Sequence, residues 1–176
     1  MNLEAVALEF PEENLLNDGT WEKVDFYELS TESALWNHAA YLTLAKKEAM
    51  TCEAALIYLI QKQTKLLGFW EEQWAGATPT MVDFINLFVA EKGFSNVEGN
   101  VIATEDFWTS YRNTIEGISC EPDFEFSKND VKEPFAVLLE KEDIVQVTCF
   151  DDEWNEQNFL VETTSHWVLY HWASAT

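Results

Sequence analysis

The sequence predicts an α+β fold, with a helical N-terminal two-thirds packed on a C-terminal antiparallel β-meander. Three observations lead there. Residues 135–172 hold apolar runs separated by acidic turns, several with period-two alternation, the pattern of half-buried strands. Upstream, apolar residues recur at helical spacing between capping residues and glycine stops. The 176 residues are 47% hydrophobic, enough for a core, so one domain over 1–176 is expected despite the charge.

Taken in order, residues 1–29 read as irregular chain that can hold short strands. Leu3 to Phe10 ends at Pro11, and Asn17-Asp18-Gly19-Thr20 is a turn signal. Residues 30–117 read as the helical part. Ser30 or Thr31 caps its first helix, and Leu35, Ala39, Leu42 and Ala45 follow at helical spacing. Thr51 caps the next stretch, with Cys52, Ala55, Leu56, Leu59 and Ile60 as its stripe and Gly68 as its stop. Two helices with a short joint and one kinked helix fit equally well. Phe69 to Thr78 is a loop carrying Trp70, Glu71, Glu72 and Trp74.

Thr78, Pro79 and Gly93 bound the next helix, and Met81, Phe84, Ile85, Phe88 and Val89 form one apolar stripe. Phe94 to Ala103 is a hairpin or an extended loop. Thr104 caps a further helix, with Glu105 and Asp106 in its first turn and Gly117 after its end. Residues 118–134 form an acidic connection. The sheet fills 135–176: Phe135–Leu139, a hairpin-length turn Glu140–Asp143, Ile144–Phe150, a longer acidic loop Asp151–Gln157, Asn158–Thr164, and His166–Trp172. The last run is apolar without alternation, which places it centrally with both faces covered.

The charge is the strongest compositional signal. There are 32 acids against 10 bases, a net −22, and Arg112 is the one arginine. The excess is spread along the chain: −9 over residues 1–88 and −13 beyond. Such a field repels nucleic acid and anionic membrane and attracts basic proteins. Solubility or a salt-adapted source is the bland alternative, and 8 Trp with 12 Phe speak against the second. No apolar run approaches the ~18 residues of a membrane span. The N-terminus shows no basic or apolar signal region, so a cytoplasmic location is expected. Three cysteines, Cys52, Cys120 and Cys149, lack C-x-x-C spacing and read as reduced thiols.

No motif for catalysis or for a cofactor stands out. Asp151-Asp152-Glu153-Trp154-Asn155-Glu156 lacks the glycine and the spacing of a calcium loop. His166 and His171 are five apart, which on a strand puts them on opposite faces. An acidic surround raises a thiol pKa, against an activated cysteine. Neither a phosphate-binding glycine loop nor a helical His pair is present.

What recurs is acid beside tryptophan: Trp70-Glu71-Glu72-Gln73-Trp74 and Asp151-Asp152-Glu153-Trp154, with Glu156 close behind. Tryptophan anchors interfaces and carboxylates steer basic partners. These nine residues, Trp70, Glu71, Glu72, Trp74, Asp151, Asp152, Glu153, Trp154 and Glu156, are the candidate partner-binding set. In overall character the chain resembles bacterial immunity proteins, which neutralise basic toxins. That resemblance implies a non-enzymatic inhibitor that docks a basic protein, such as a nuclease, and occludes its active site. A DNA mimic is the alternative, and an enzyme without a recognisable motif the third.

Overall fold

Among the described residues seven strands form one antiparallel sheet, and the run from His166 lies at its middle. The computed structural model describes residues 24–32, 37–49, 51–66, 98–119, 124–127 and 139–175. In chain order the elements are β1 (Val24–Glu32), β2 (Asn37–Lys46), α1 (Cys52–Leu66), β3 (Asn100–Ile102), α2 (Thr104–Ser119), β4 (Phe124–Ser127), β5 (Ile144–Glu153), β6 (Glu156–Thr163) and β7 (His166–Ala175). Their spatial order is β3-β5-β6-β7-β2-β1-β4.

This overturns the expected α+β division, in which a helical N-terminal two-thirds packs on a C-terminal meander. Val24–Glu32, expected to be irregular chain with short strands up to residue 29 and a helix start from residue 30, is a nine-residue strand. Asn37–Lys46, expected to be helical, is the strand beside β7. The physical reason is burial on both sides. Ala40, Leu42 and Leu44 face one way, Thr43 and Ala45 the other, and all are buried. A strand covered on both faces loses its alternation, so Ala39, Leu42 and Ala45 mimic a helical stripe. The long pairings to β1 and β7 then outweigh local propensity.

Other boundaries shift as well. The connection 118–134 contains β4, which pairs with β1 at the far edge. Glu140–Asp143 holds a 3₁₀ turn closed by the Asp143 amide on the Glu140 carbonyl at 3.0 Å. The expected loop Asp151–Gln157 is a two-residue turn, Trp154-Asn155, between continuous strands. Gly117 lies inside α2 and Thr104 is its first residue. Residues 1–23, the expected helix from Thr78, the loop before it, Cys120 and residues 135–138 lie outside the described residues.

Among the described residues there are two α-helices, and they cover opposite faces of the sheet. Phe107, Tyr111, Ile115 and Ile118 of α2 form one cluster with Leu42, Leu44, Val147, Phe159, Val161, Val168 and Tyr170. Phe107 meets Phe159 and Tyr170 edge-on at 5.1 and 6.1 Å. Helix α1 buries Ala55, Leu56, Ile57, Leu59 and Ile60 outside that cluster, against β2, β7 and β1. Thr51 caps α1, its Oγ1 accepting from the Ala54 amide at 3.3 Å.

At the short edge strand, Gly99 brings the backbone close to β5. A Cβ there would lie 2.6 Å from the Phe150 ring and closer still to Thr148, so only glycine fits.

Candidate protein-binding site at the β5–β6 hairpin

Continuous strand pairing to Glu153↔Glu156 leaves Trp154 and Asn155 as the tip of a narrow hairpin. Trp154 is 74% exposed, an indole held out in solvent. Beside it Asp152 and Glu153 are exposed, and the Glu156 side chain keeps 22% of its surface. The tip therefore presents a large aromatic ring rimmed by carboxylates.

Three sets of contacts make the hairpin stiff. The Ser174 amide of β7 donates to the Asn155 carbonyl at 2.9 Å, tying the turn to the next strand. On the α2 face, Gln157 Nε2 donates to Ser110 Oγ at 2.5 Å and to Asp152 Oδ1 at 3.1 Å. Tyr170 donates to Gln157 Oε1 at 3.5 Å, and Thr114 Oγ1 reaches the same oxygen at 3.4 Å. On the opposite face, Asn158 Oδ1 lies 2.6 Å from His171 Nδ1, and Asn158 Nδ2 donates to Glu156 Oε1 at 3.4 Å.

The register arranges these last residues in a row. Asp151 pairs with Asn158, Asn158 with His171, His171 with Tyr41, and Tyr41 with Glu28, crossing five strands. Paired residues share a face, so the row is a continuous polar line across the sheet. Tyr41 and His171 stack with centroids 5.7 Å apart and planes 6° from parallel. Burial, with the Glu28 charge adding, pushes the Tyr41 phenol up to about 12, so it stays neutral.

The row explains one departure from expectation. Asp151 is only 5% exposed and faces inward, so it does not share the solvent-facing position of its neighbours. A bulge between Cys149 and Asp151 resets the alternation there, which residue counting alone misses. The Asp152 carboxyl is held above the usual range by burial, opposed by the Gln157 hydrogen bond and reinforced by the Asp151 charge. Trp70, Glu71, Glu72 and Trp74 lie outside the described residues.

Asn158, His171 and Gln157, which brace the tip, were not singled out as functional by sequence reasoning. Asn158 stands two residues after Glu156, on the same face of the strand, and that spacing is the signal that could have found it.

The remaining chemistry is local. Burial pushes the Cys52 and Cys149 thiols up to about 11, with nearby carboxylates adding, opposite to an activated thiolate. At the other end of the hairpin, Lys47 Nζ pairs with Glu162 at 2.6 Å and sits 4.8 Å from the Trp167 ring centroid. Arg112 pairs with Glu116, and Lys141 with Glu105 at 2.5 Å, along an open groove of about 410 Å³ on the outer side of α2. Among the described residues no group of three or more His, Cys, Asp and Glu is placed to hold a metal ion. None of the helices there is long and apolar enough to cross a membrane. The chain matches no family model, and neither a curated protein nor a solved structure is significantly similar to it.

Proposed function

We propose that this chain is an acidic, non-enzymatic protein inhibitor that docks a basic protein through the tip of the β5–β6 hairpin. The observation that carries the reading is Trp154, exposed among Asp152, Glu153 and Glu156 on a braced two-residue turn. An isolated exposed indole costs hydration free energy unless a partner covers it, and a preorganised one loses little entropy on binding. The net −22 field adds long-range attraction for a cationic surface. An exposed aromatic ring on a braced turn also suits a cleft, so occlusion of an enzyme's active site follows, as in immunity proteins acting on basic toxins. A cytoplasmic location goes with this reading.

The test is affinity capture from the native source with the full chain, followed by mass spectrometry and surface-plasmon kinetics on the chain identified. A basic protein retained by the wild type and lost with Trp154→Ala supports the proposal. Retention that is indifferent to Trp154 and to the three acids overturns it. Capture by nucleic-acid-binding enzymes at their duplex groove would favour the DNA-mimic alternative instead.

A further inference from the structure

Beneath the tip lies a buried polar trio whose geometry joins a titratable ring to one of the rim acids. His171 is fully buried, and its Nδ1 is 4.0 Å from Glu156 Oε1. Asn158 bridges the two. Its Nδ2 donates to the Glu156 carboxylate, which can only accept, so Oδ1 must be the atom facing His171. An amide oxygen also only accepts, hence His171 Nδ1 carries the proton and Nε2 is the site that gains one on acidification.

We infer that His171 is a positioning residue for Glu156, and that its protonation fixes that carboxylate on the inner side of the hairpin and offsets its charge at the docking rim. The driving force is a new cation 4.0 Å from a carboxylate that is itself mostly shielded from solvent. Glu156 is the first residue of β6 and adjoins the turn, so its charge bears directly on the tip. Titratable groups that the register sets beside the ring include Tyr41, stacked on it from β2, and Asp151 behind Asn158 from β5. Glu28 of β1 stands one strand further, beyond Tyr41. Tyr41 stays neutral across the range in which histidine titrates, while Asp151 and Glu28 are set back by one intervening side chain each.

Two effects then act together at lower pH. The rim loses the charge of Glu156 to an internal partner, and the new cation adds positive charge beneath the Trp154 turn. For a basic ligand both weaken capture on the acid side. This consequence rests on the docking role proposed for the tip, whereas the coupling itself is a property of the free chain.

The experiment therefore uses the full chain without a partner. His171 ring protons and the Trp154 indole cross-peak, assigned with Trp154→Phe, are followed by NMR from about pH 8 to pH 5. In the wild type the two signals should share one midpoint. Glu156→Gln, which keeps the side-chain shape, should lower the His171 midpoint by ~1 pH unit and flatten the Trp154 response. An unchanged midpoint in the variant, a Trp154 signal that ignores the His171 titration, or no titration of His171 in this range would each overturn the coupling. None of these results depends on whether a basic protein binds, so loss of the docking role and loss of the coupling are separately visible.

Discussion

Gln157 Nε2 and Ser110 Oγ lie 2.5 Å apart, a single hydrogen bond that ties the base of the β5–β6 hairpin to α2. The same amide reaches Asp152, and its oxygen accepts from Tyr170, so one residue links strand, helix and neighbouring strand. A hairpin anchored this way on one face, and by Asn158 and His171 on the other, presents its tip without having to order on binding.

The aromatic cluster under α2 should dominate stability. Phe107 is fully buried and touches Tyr111, Phe159 and Tyr170. Phe107→Ala should cost about 3–5 kcal/mol in urea melts, from lost burial plus the cavity left behind. A loss below about 1 kcal/mol would mean that α2 does not hold the sheet.

Thr43→Val should be neutral or stabilising by up to about 1 kcal/mol. Thr43 is fully buried in β2 and its hydroxyl has no hydrogen-bond partner among the described residues. Valine keeps the β-branched shape and removes a desolvated polar group. Marked destabilisation in the same melts would show that the hydroxyl is satisfied in solution.

Asp152 should carry a pH signature. Its carboxyl has a folded pKa above the ordinary 3.8, because of burial. A raised folded pKa means that the folded state binds the proton more tightly than the unfolded state does. The ionised group therefore costs stability above its folded pKa, and the cost fades as pH falls through that value toward the unfolded one. Asp152→Asn keeps an acceptor for Gln157 and should raise the melting temperature at neutral pH. The gain should vanish at about pH 3, below the unfolded pKa. A gain that persists in acid would point to something other than ionisation.

Trp154→Ala should separate folding from binding. The ring is exposed, so its removal should change stability by less than about 0.5 kcal/mol. Against a captured basic partner the same change should cost about 2 kcal/mol or more, mostly through faster dissociation. Equal affinity for both proteins would place the interface elsewhere.

Neutralising the rim should act on the other rate. The combined Asp152→Asn, Glu153→Gln and Glu156→Gln variant should slow association and flatten its salt dependence, with dissociation less affected. Asp151 is left out because it is buried and would report on folding instead.

Much of the C-terminal half was legible because its signals are local. Period-two alternation and short turns marked Ile144–Phe150 and Asn158–Thr164, and the unbroken apolar run from His166 marked the central strand. Thr51 and the stripe after it marked α1, and the acids at Glu105 and Asp106 marked the start of α2. Strand β2 was not legible, because a strand buried on both faces carries no alternation and its partner β7 lies more than a hundred residues away.

For the candidate site, the residues alone set the chemistry: carboxylates beside a tryptophan in a strongly acidic chain, in a segment between two strands. Only the tertiary structure decided which of them face solvent. The bulge after Cys149 turns Asp151 inward, the two-residue turn pushes Trp154 out, and the pairing of β6 with β7 brings His171 to Asn158. Charge and composition are sums over residues and survive without a fold. Exposure and proximity depend on register, and in a sheet register is set by pairing between distant segments.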